Sequence, residues 1–232
     1  FEYELEATLD YEFRRRGASG PAYGTIVGGG ANATILHYVT NREALRAGEL
    51  VLIDAGCEFA GYASDVTRTY PIGGRYQGAG LEVYEAVLAA QEAALAIAKP
   101  GATLEDVHAA ALRSLTEAMI AMGLLSGSVD DLIESGAYKT YYMHRTSHWL
   151  GLDVHDVGSY TQDGRPRTLE PGIVFTVEPG LYIAADDEKA PERLRGIGVR
   201  IEDDVLVTAD GHENLTAAIP KRPGDVETWI TS

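Results

Sequence analysis

Cysteine occurs once in the 232 residues, at Cys57. A single thiol excludes an internal disulfide and fits a reducing compartment, with cytoplasm as the default expectation. Basic residues are scarce: 19 Lys and Arg stand against 35 Asp and Glu, a net charge of −16. That balance excludes the clustered basic surface with which nucleic acid or an anionic membrane is bound. No apolar run approaches the roughly 20 residues that cross a bilayer, and no signal-peptide pattern opens the sequence. Low-complexity tracts and linkers are also missing. The Gly28-Gly29-Gly30 run has neither a following Lys-Ser/Thr nor G-x-G-x-x-G spacing, so it reads as a plain turn and not as a phosphate loop. There is no G-x-S-x-G nucleophile elbow.

What remains is ordinary globular composition, 45% hydrophobic and 23% charged, in a length that suits one domain or two modest ones. The sequence begins at Phe1 without methionine and already in a helical pattern, so the expectation is that something upstream has been trimmed or left out. Leu5, Leu9 and Phe13 recur every four residues before Gly17, predicting a helix over residues 2–16. Residues 81–98 and 104–122 read as two more helices, the second with Thr103 and Asp106 as a capping box. Short strands are expected at 25–27 and 33–39, the latter carrying His37. Strand-like runs follow at 141–155 and 172–178, and a long one at 196–207. His108 has leucines, Leu104 and Leu112, and no acid or histidine four residues away on either side, and is taken as structural or merely exposed.

Several acids lie inside apolar strands, where solvation is no explanation. Residues 51–69 read as a hairpin, and a turn between Phe59 and Ala60 would put Asp54 opposite Asp65 on one face. Arg68 then points to the other face, so a metal ion is the economical way to hold the two carboxylates together. Glu178 closes the run Ile173–Val177, and strand alternation puts Arg200, Glu202 and Asp204 on one face of the last long strand. Each acid alone is more simply a solvated edge or a salt bridge; four of them in four β runs point to a site. His144, His148 and His155 form the nearby histidine cluster. Four carboxylates with one imidazole favour Mn2+, Co2+, Fe2+ or Zn2+ over copper, and exceed what one tetrahedral ion needs. They suit two ions sharing carboxylates, which activate water and polarise a carbonyl or phosphoryl oxygen.

Five ordered motifs carry a family resemblance: Ile53–Gly56, Ser64–Thr69, His144–Gly158, Val177–Tyr182 and Gly198–Asp204. Together they resemble the Xaa-Pro aminopeptidases, in the pita-bread metallopeptidase family with prolidase, methionine aminopeptidase and creatinase. The resemblance runs from about Tyr23 to Thr216, and His144 ahead of His148 belongs to the proline-handling branch. Arg145 departs from the family pattern, which usually has glycine after the first histidine.

The resemblance implies an α+β fold, with two pseudo-symmetric halves forming a curved antiparallel sheet and helices on the outside. It implies one catalytic domain over residues 1–232. The N-terminal domain common in this branch is not in the sequence, so a more open cleft, or a domain removed from a longer protein, is expected. It further implies two divalent ions, Mn2+ ahead of Co2+, Zn2+ or Fe2+. Asp54 would bind one ion, His148 and Glu178 the other, with Asp65 and Glu202 bridging. Glu178 would exchange protons with water and the leaving amine, and His155 and His37 would steady the carbonyl. His144 and Arg200 would line the pocket beside the proline. Tyr182 and Trp149 are further substrate-binding candidates, although an aromatic beside a strand is more often core. The expected substrates are peptides with proline at the second position, and the resemblance allows a homo-oligomer. Two rivals stay open, a dipeptidase of the prolidase type and a binding module without catalysis; the same site also allows a side activity on organophosphates.

Overall fold

The computed structural model describes residues 1–232. Helix α1 (Glu2–Arg15) forms where the four-residue apolar repeat predicts it. Glu2 is fully buried at its start and accepts bonds from the Gly29 and Glu43 amides, Asn32 Nδ2 and the Tyr38 hydroxyl, all at 2.8–2.9 Å. Those bonds fold residues 29–43 into a 3-10 turn (Gly30–Thr34) and a loop. The strand expected at 33–39 therefore does not form, and His37 sits on that loop.

Strands β1 (Gly20–Pro21), β2 (Ile26–Gly29), β3 (Leu50–Asp54), β4 (Cys57–Phe59), β5 (Tyr62–Ala63) and β6 (Thr67–Pro71) make up the first half, with sheets ordered β2-β3-β6 and β1-β4-β5. The hairpin is real, but its centre lies one residue later than expected. Ala60 and Gly61 both take positive φ (52° and 84°), the requirement of a two-residue turn matched to strand twist. Glu58 then pairs with Ala63, and Asp54 faces Thr67 instead of Asp65. At Gly56 the two strands touch: a Cβ there would lie 1.7 Å from the Ser64 carbonyl oxygen, so only glycine fits.

Helices α2 (Gly78–Ile97), α3 (Leu104–Ala121) and α4 (Val129–Ser135) follow, with the Thr103/Asp106 capping box in place. The second half holds the small hairpin β7 (Thr161–Gln162)/β8 (Arg165–Pro166), then β9 (Val174–Val177), β10 (Gly180–Ile183), β11 (Ile197–Arg200), β12 (Asp203–Val207), β13 (His212–Asn214) and α5 (Pro223–Thr231). The long strand expected at 196–207 is two strands. β11 pairs with β10, whereas β12 pairs with β9 and β13. At the break the Glu202 amide donates to the Thr67 carbonyl at 3.0 Å, which ties the two halves of the chain together. Residues 146–150 are an irregular partner of β9: the Leu150, Thr176 and Glu178 amides donate to Val174, His148 and Thr146 carbonyls. Every strand pairing is antiparallel.

Helices α2 and α3 pack on each other and cover one side of these ladders. One core joins Val83, Val87, Leu115 and Met119 to Leu181, Ile183, Val199 and Ile201, all fully buried. A second joins Val107 and Ala111 to Phe175, Val177 and Val205. Each such side chain removed from water contributes about 1.5–3 kcal/mol. Because strand side chains alternate, the residues between them (Arg200, Glu202) emerge on the side away from the helices. No helix is long and apolar enough to cross a membrane.

Candidate metal centre and substrate cleft

On that side lies a cleft of about 780 Å³. Asp54, Asp65, His148, Glu178 and Glu202 all line it. Asp54 comes from the end of β3, Asp65 from the irregular stretch before β6, Glu178 from the end of β9, and Glu202 from the β11/β12 break. Residues 146–150, running along β9, carry His148 to Glu178. Ligand atoms of Asp65, His148 and Glu202 lie within 4.8 Å of one another. His148 Nε2 is 3.3 Å from Asp65 Oδ2 and 3.5 Å from Glu178 Oε1. Asp54 joins the group through the Tyr23 hydroxyl, which is 2.6 Å from Asp54 Oδ1 and 2.6 Å from Asp65 Oδ1.

Supporting bonds fix these side chains. Thr67 Oγ1 donates to Glu202 Oε2 at 2.6 Å, and Asp204 Oδ2 accepts the Asp65 amide at 3.1 Å. Arg200 reaches Asp54 Oδ2 from Nη2 at 2.6 Å, Tyr182 Oη from Nη1 at 3.0 Å and Thr67 Oγ1 from Nε at 3.1 Å. Below the site, Arg68 is buried, with Nη2 2.7 Å from Asp203 Oδ1 and Nη1 2.5 Å from the Glu202 carbonyl. Asp203 also accepts bonds from Lys221, Gln91, Asn214 and Thr216.

The electrostatics show a site short of positive charge. Burial raises the Glu178 carboxyl to about 7, against the opposing pull of His148 and Arg200. Burial raises Glu202 well above the usual carboxylate range, with Asp65 adding to the rise. Asp54 is raised by burial too, partly offset by Arg200. His148 is partly buried, which alone would lower it, yet the bond to Asp65 and the charge of Glu178 carry it up to about 9. Four carboxylates thus meet one guanidinium and one imidazole, and Arg200 pairs with only one of the four. Oxygen-rich ligation with a single imidazole is a donor set for hard or borderline divalent ions, and the residues fit such ions.

The other expected residues distribute as follows. His37 and His155 are exposed imidazoles on the cleft wall, and the His155 ring meets the His148 ring edge-on at 4.4 Å. His144 lines the cleft with Nδ1 3.7 Å from Glu178 Oε2, and its Nε2 bonds the Tyr182 hydroxyl at 2.8 Å. Burial and the nearby Arg200 lower His144 to about 3, so the ring is neutral. Trp149 is a core residue that also reaches the cleft, stacked on Tyr160 at 5.2 Å. Tyr182 is not on the cleft wall; it stands behind His144 and Arg200 and fixes both.

Sequence reasoning passed over the roles of Tyr23 and Thr67, and took His108 as structural or merely exposed. Thr67 follows Asp65 by two residues, and that spacing is a usable signal. Tyr23 lies in a loop without periodicity and gives none. His108 is buried, bonds Thr146 Oγ1 at 2.7 Å and lines the cleft from α3, a placement only the tertiary fold supplies.

A family model described as metallopeptidase family M24 matches residues 1–209. The chain is 52% identical over its whole length to the Xaa-Pro aminopeptidase of Escherichia coli, covering 52% of that protein. It is 52% identical over 230 residues to the Xaa-Pro aminopeptidase of Haemophilus influenzae, covering 99% of this chain and 53% of that one. The solved structure of Pseudomonas aeruginosa aminopeptidase PepP superposes with a TM-score of 0.98 at 52% identity, over the full chain and 52% of the other. The chain therefore spans about half the length of the relatives it matches.

Proposed function

The chain belongs to metallopeptidase family M24 and has its pita-bread fold, and from that premise we propose a dinuclear-metal aminopeptidase that hydrolyses the N-terminal Xaa-Pro bond of peptides. The observation that carries this reading is the meeting of Asp54, Asp65, Glu178 and Glu202 with His148 at the floor of one cleft. The names of relatives at 52% identity support it. Asp54, Asp65, His148, Glu178 and Glu202 would hold two divalent ions, Mn2+ ahead of Co2+, Zn2+ or Fe2+. Such a pair, when bound, supplies Lewis acidity toward a carbonyl and hydroxide near neutral pH.

The remaining roles fall to the chain's own side chains. The bond before proline is a tertiary amide without an N–H, so substrate selection must come from shape around the ring and capture of the free α-amine. His144, pinned by the Tyr182 hydroxyl, and Arg200, pinned by Asp54, Tyr182 and Thr67, form rigid walls beside the proline. Asp54 offers the α-amine a carboxylate. His37 and His155 reach the scissile carbonyl from the cleft wall. Glu178 would move the proton from water to the leaving nitrogen of proline at its Oε atoms. A cytoplasmic setting suits the lone, half-buried Cys57.

The test is hydrolysis by the Mn2+-loaded protein of matched Xaa-Pro-Yaa and Xaa-Pro substrates. Release of the first residue from the tripeptide is expected. Cleavage of the dipeptide alone would make the protein a dipeptidase, and cleavage of neither would overturn the peptidase reading.

A further inference from the structure

At the mouth of the cleft, Arg145 is ion-paired through Nη2 with Glu105 Oε1 of α3. Both side chains are more than half exposed (55% and 58%), so solvent screens the pair and it contributes little. Glu105 is the one ion-pair partner of Arg145, and it is held through Nη2. Nη2 carries two hydrogens and Glu105 takes one of them, so one two-nitrogen edge of the guanidinium stays open, and a fork of that kind suits a carboxylate.

Its position relative to the metal centre follows from a row of rings. Tyr182 and His144 are 5.5 Å apart between centroids, His144 and Tyr142 5.0 Å, Tyr142 and His108 5.7 Å. Thr146 Oγ1 ties the far end, bonded to the Tyr142 hydroxyl at 2.5 Å and to His108 at 2.7 Å. The row leads from Glu178 and His144 to α3, where Glu105 precedes His108 by one turn and holds Arg145. Arg145 directly follows His144, and consecutive Cα atoms are about 3.8 Å apart, the same step that separates proline from the next residue of a peptide. Of the other cleft guanidiniums, Arg200 is buried and committed to Asp54, and Arg167 lies 5.9 Å over the Trp149 ring.

Resting on the aminopeptidase reading, we propose that Arg145 pairs with the free carboxylate of the residue after proline, so that the chain favours Xaa-Pro-Yaa tripeptides over substrates whose third residue is blocked. An uncharged carboxamide at that place offers the open edge one neutral acceptor oxygen in place of a charged pair, and so gains less from it.

The experiment compares Ala-Pro-Ala with its C-terminal amide on the Mn2+-loaded protein, and binding of Pro-Ala with that of its amide by calorimetry. Wild type should prefer the acid about tenfold in kcat/KM, expressed in KM more than kcat, with a matching difference in Kd (tenfold is about 1.4 kcal/mol). Arg145→Gly should bring both ratios close to one. Glu105→Gln, which frees the guanidinium without removing it, should keep or enlarge them. A preference that survives Arg145→Gly, or a wild type without preference on peptides it cleaves, overturns the inference alone. Cleavage of neither peptide overturns the aminopeptidase reading and this inference with it.

Discussion

Glu202 and Asp203 are adjacent, both essentially buried, and face opposite ways. Glu202 turns to the cleft with one bond from Thr67, and burial raises its carboxyl well above the usual carboxylate range. Asp203 turns to Arg68 and Lys221; despite burial, these charges hold its carboxyl well below the usual carboxylate range. The difference is the partner set, and it separates a group able to take a cation from one already satisfied. The sign of the Asp203 linkage is definite. Its folded value lies below the unfolded value near 3.9, so its stabilisation is complete above that pH and is lost as pH falls toward the folded value. Asp203→Asn should cost about 3–5 kcal/mol at pH 7, because a buried guanidinium loses its partner. Urea midpoints should show that deficit shrinking on acidification below pH 4. An equal deficit at pH 7 and pH 3.5 would contradict this account of Asp203.

The β4/β5 hairpin is the element on which the centre depends most, since its two arms lead from Asp54 to Asp65. Its arms converge at Gly56, against the Ser64 carbonyl. Gly56→Ala forces a Cβ into backbone that cannot retreat along a flexible side chain. We expect a loss of at least about 2 kcal/mol in denaturant unfolding and weaker metal binding together; normal stability with normal metal binding would show that the two arms can part freely. The hairpin also shows what sequence conveys at this scale. The β-branched runs and the small-residue turn mark its existence, but the register depends on Ala60 accepting a left-handed conformation, which alanine does not advertise. Helices α1 to α3 were legible because apolar period and caps agree. The division of 196–207 was not, because side-chain alternation passes through the break at Ile201–Glu202 unchanged. The loop at 33–39 escaped notice for another reason: a distant carboxylate, Glu2, folds it.

Across the whole molecule, α2 and most of α3 lie on one side of a layer of short ladders and the metal centre on the other, while the first turn of α3 (Leu104, Glu105, His108) reaches the cleft wall. The two halves of the chain meet at the Glu202–Thr67 bond and the Arg68–Asp203 pair. The acids and the imidazole of the centre stood out in the sequence because charged groups inside apolar strands are conspicuous. Tyr23, His108 and the Arg145–Glu105 pair did not, because each gains its meaning from a neighbour more than twenty residues away in the chain. The central claim is that five side chains form a two-ion centre. Metal content of the dialysed Mn2+-loaded protein, measured by mass spectrometry for wild type, Asp65→Ala and Glu202→Ala, tests it most directly. Two ions per chain in wild type, falling to one or none in each folded variant, is the predicted result. Fewer than two ions in wild type, or two retained in both variants, would contradict it.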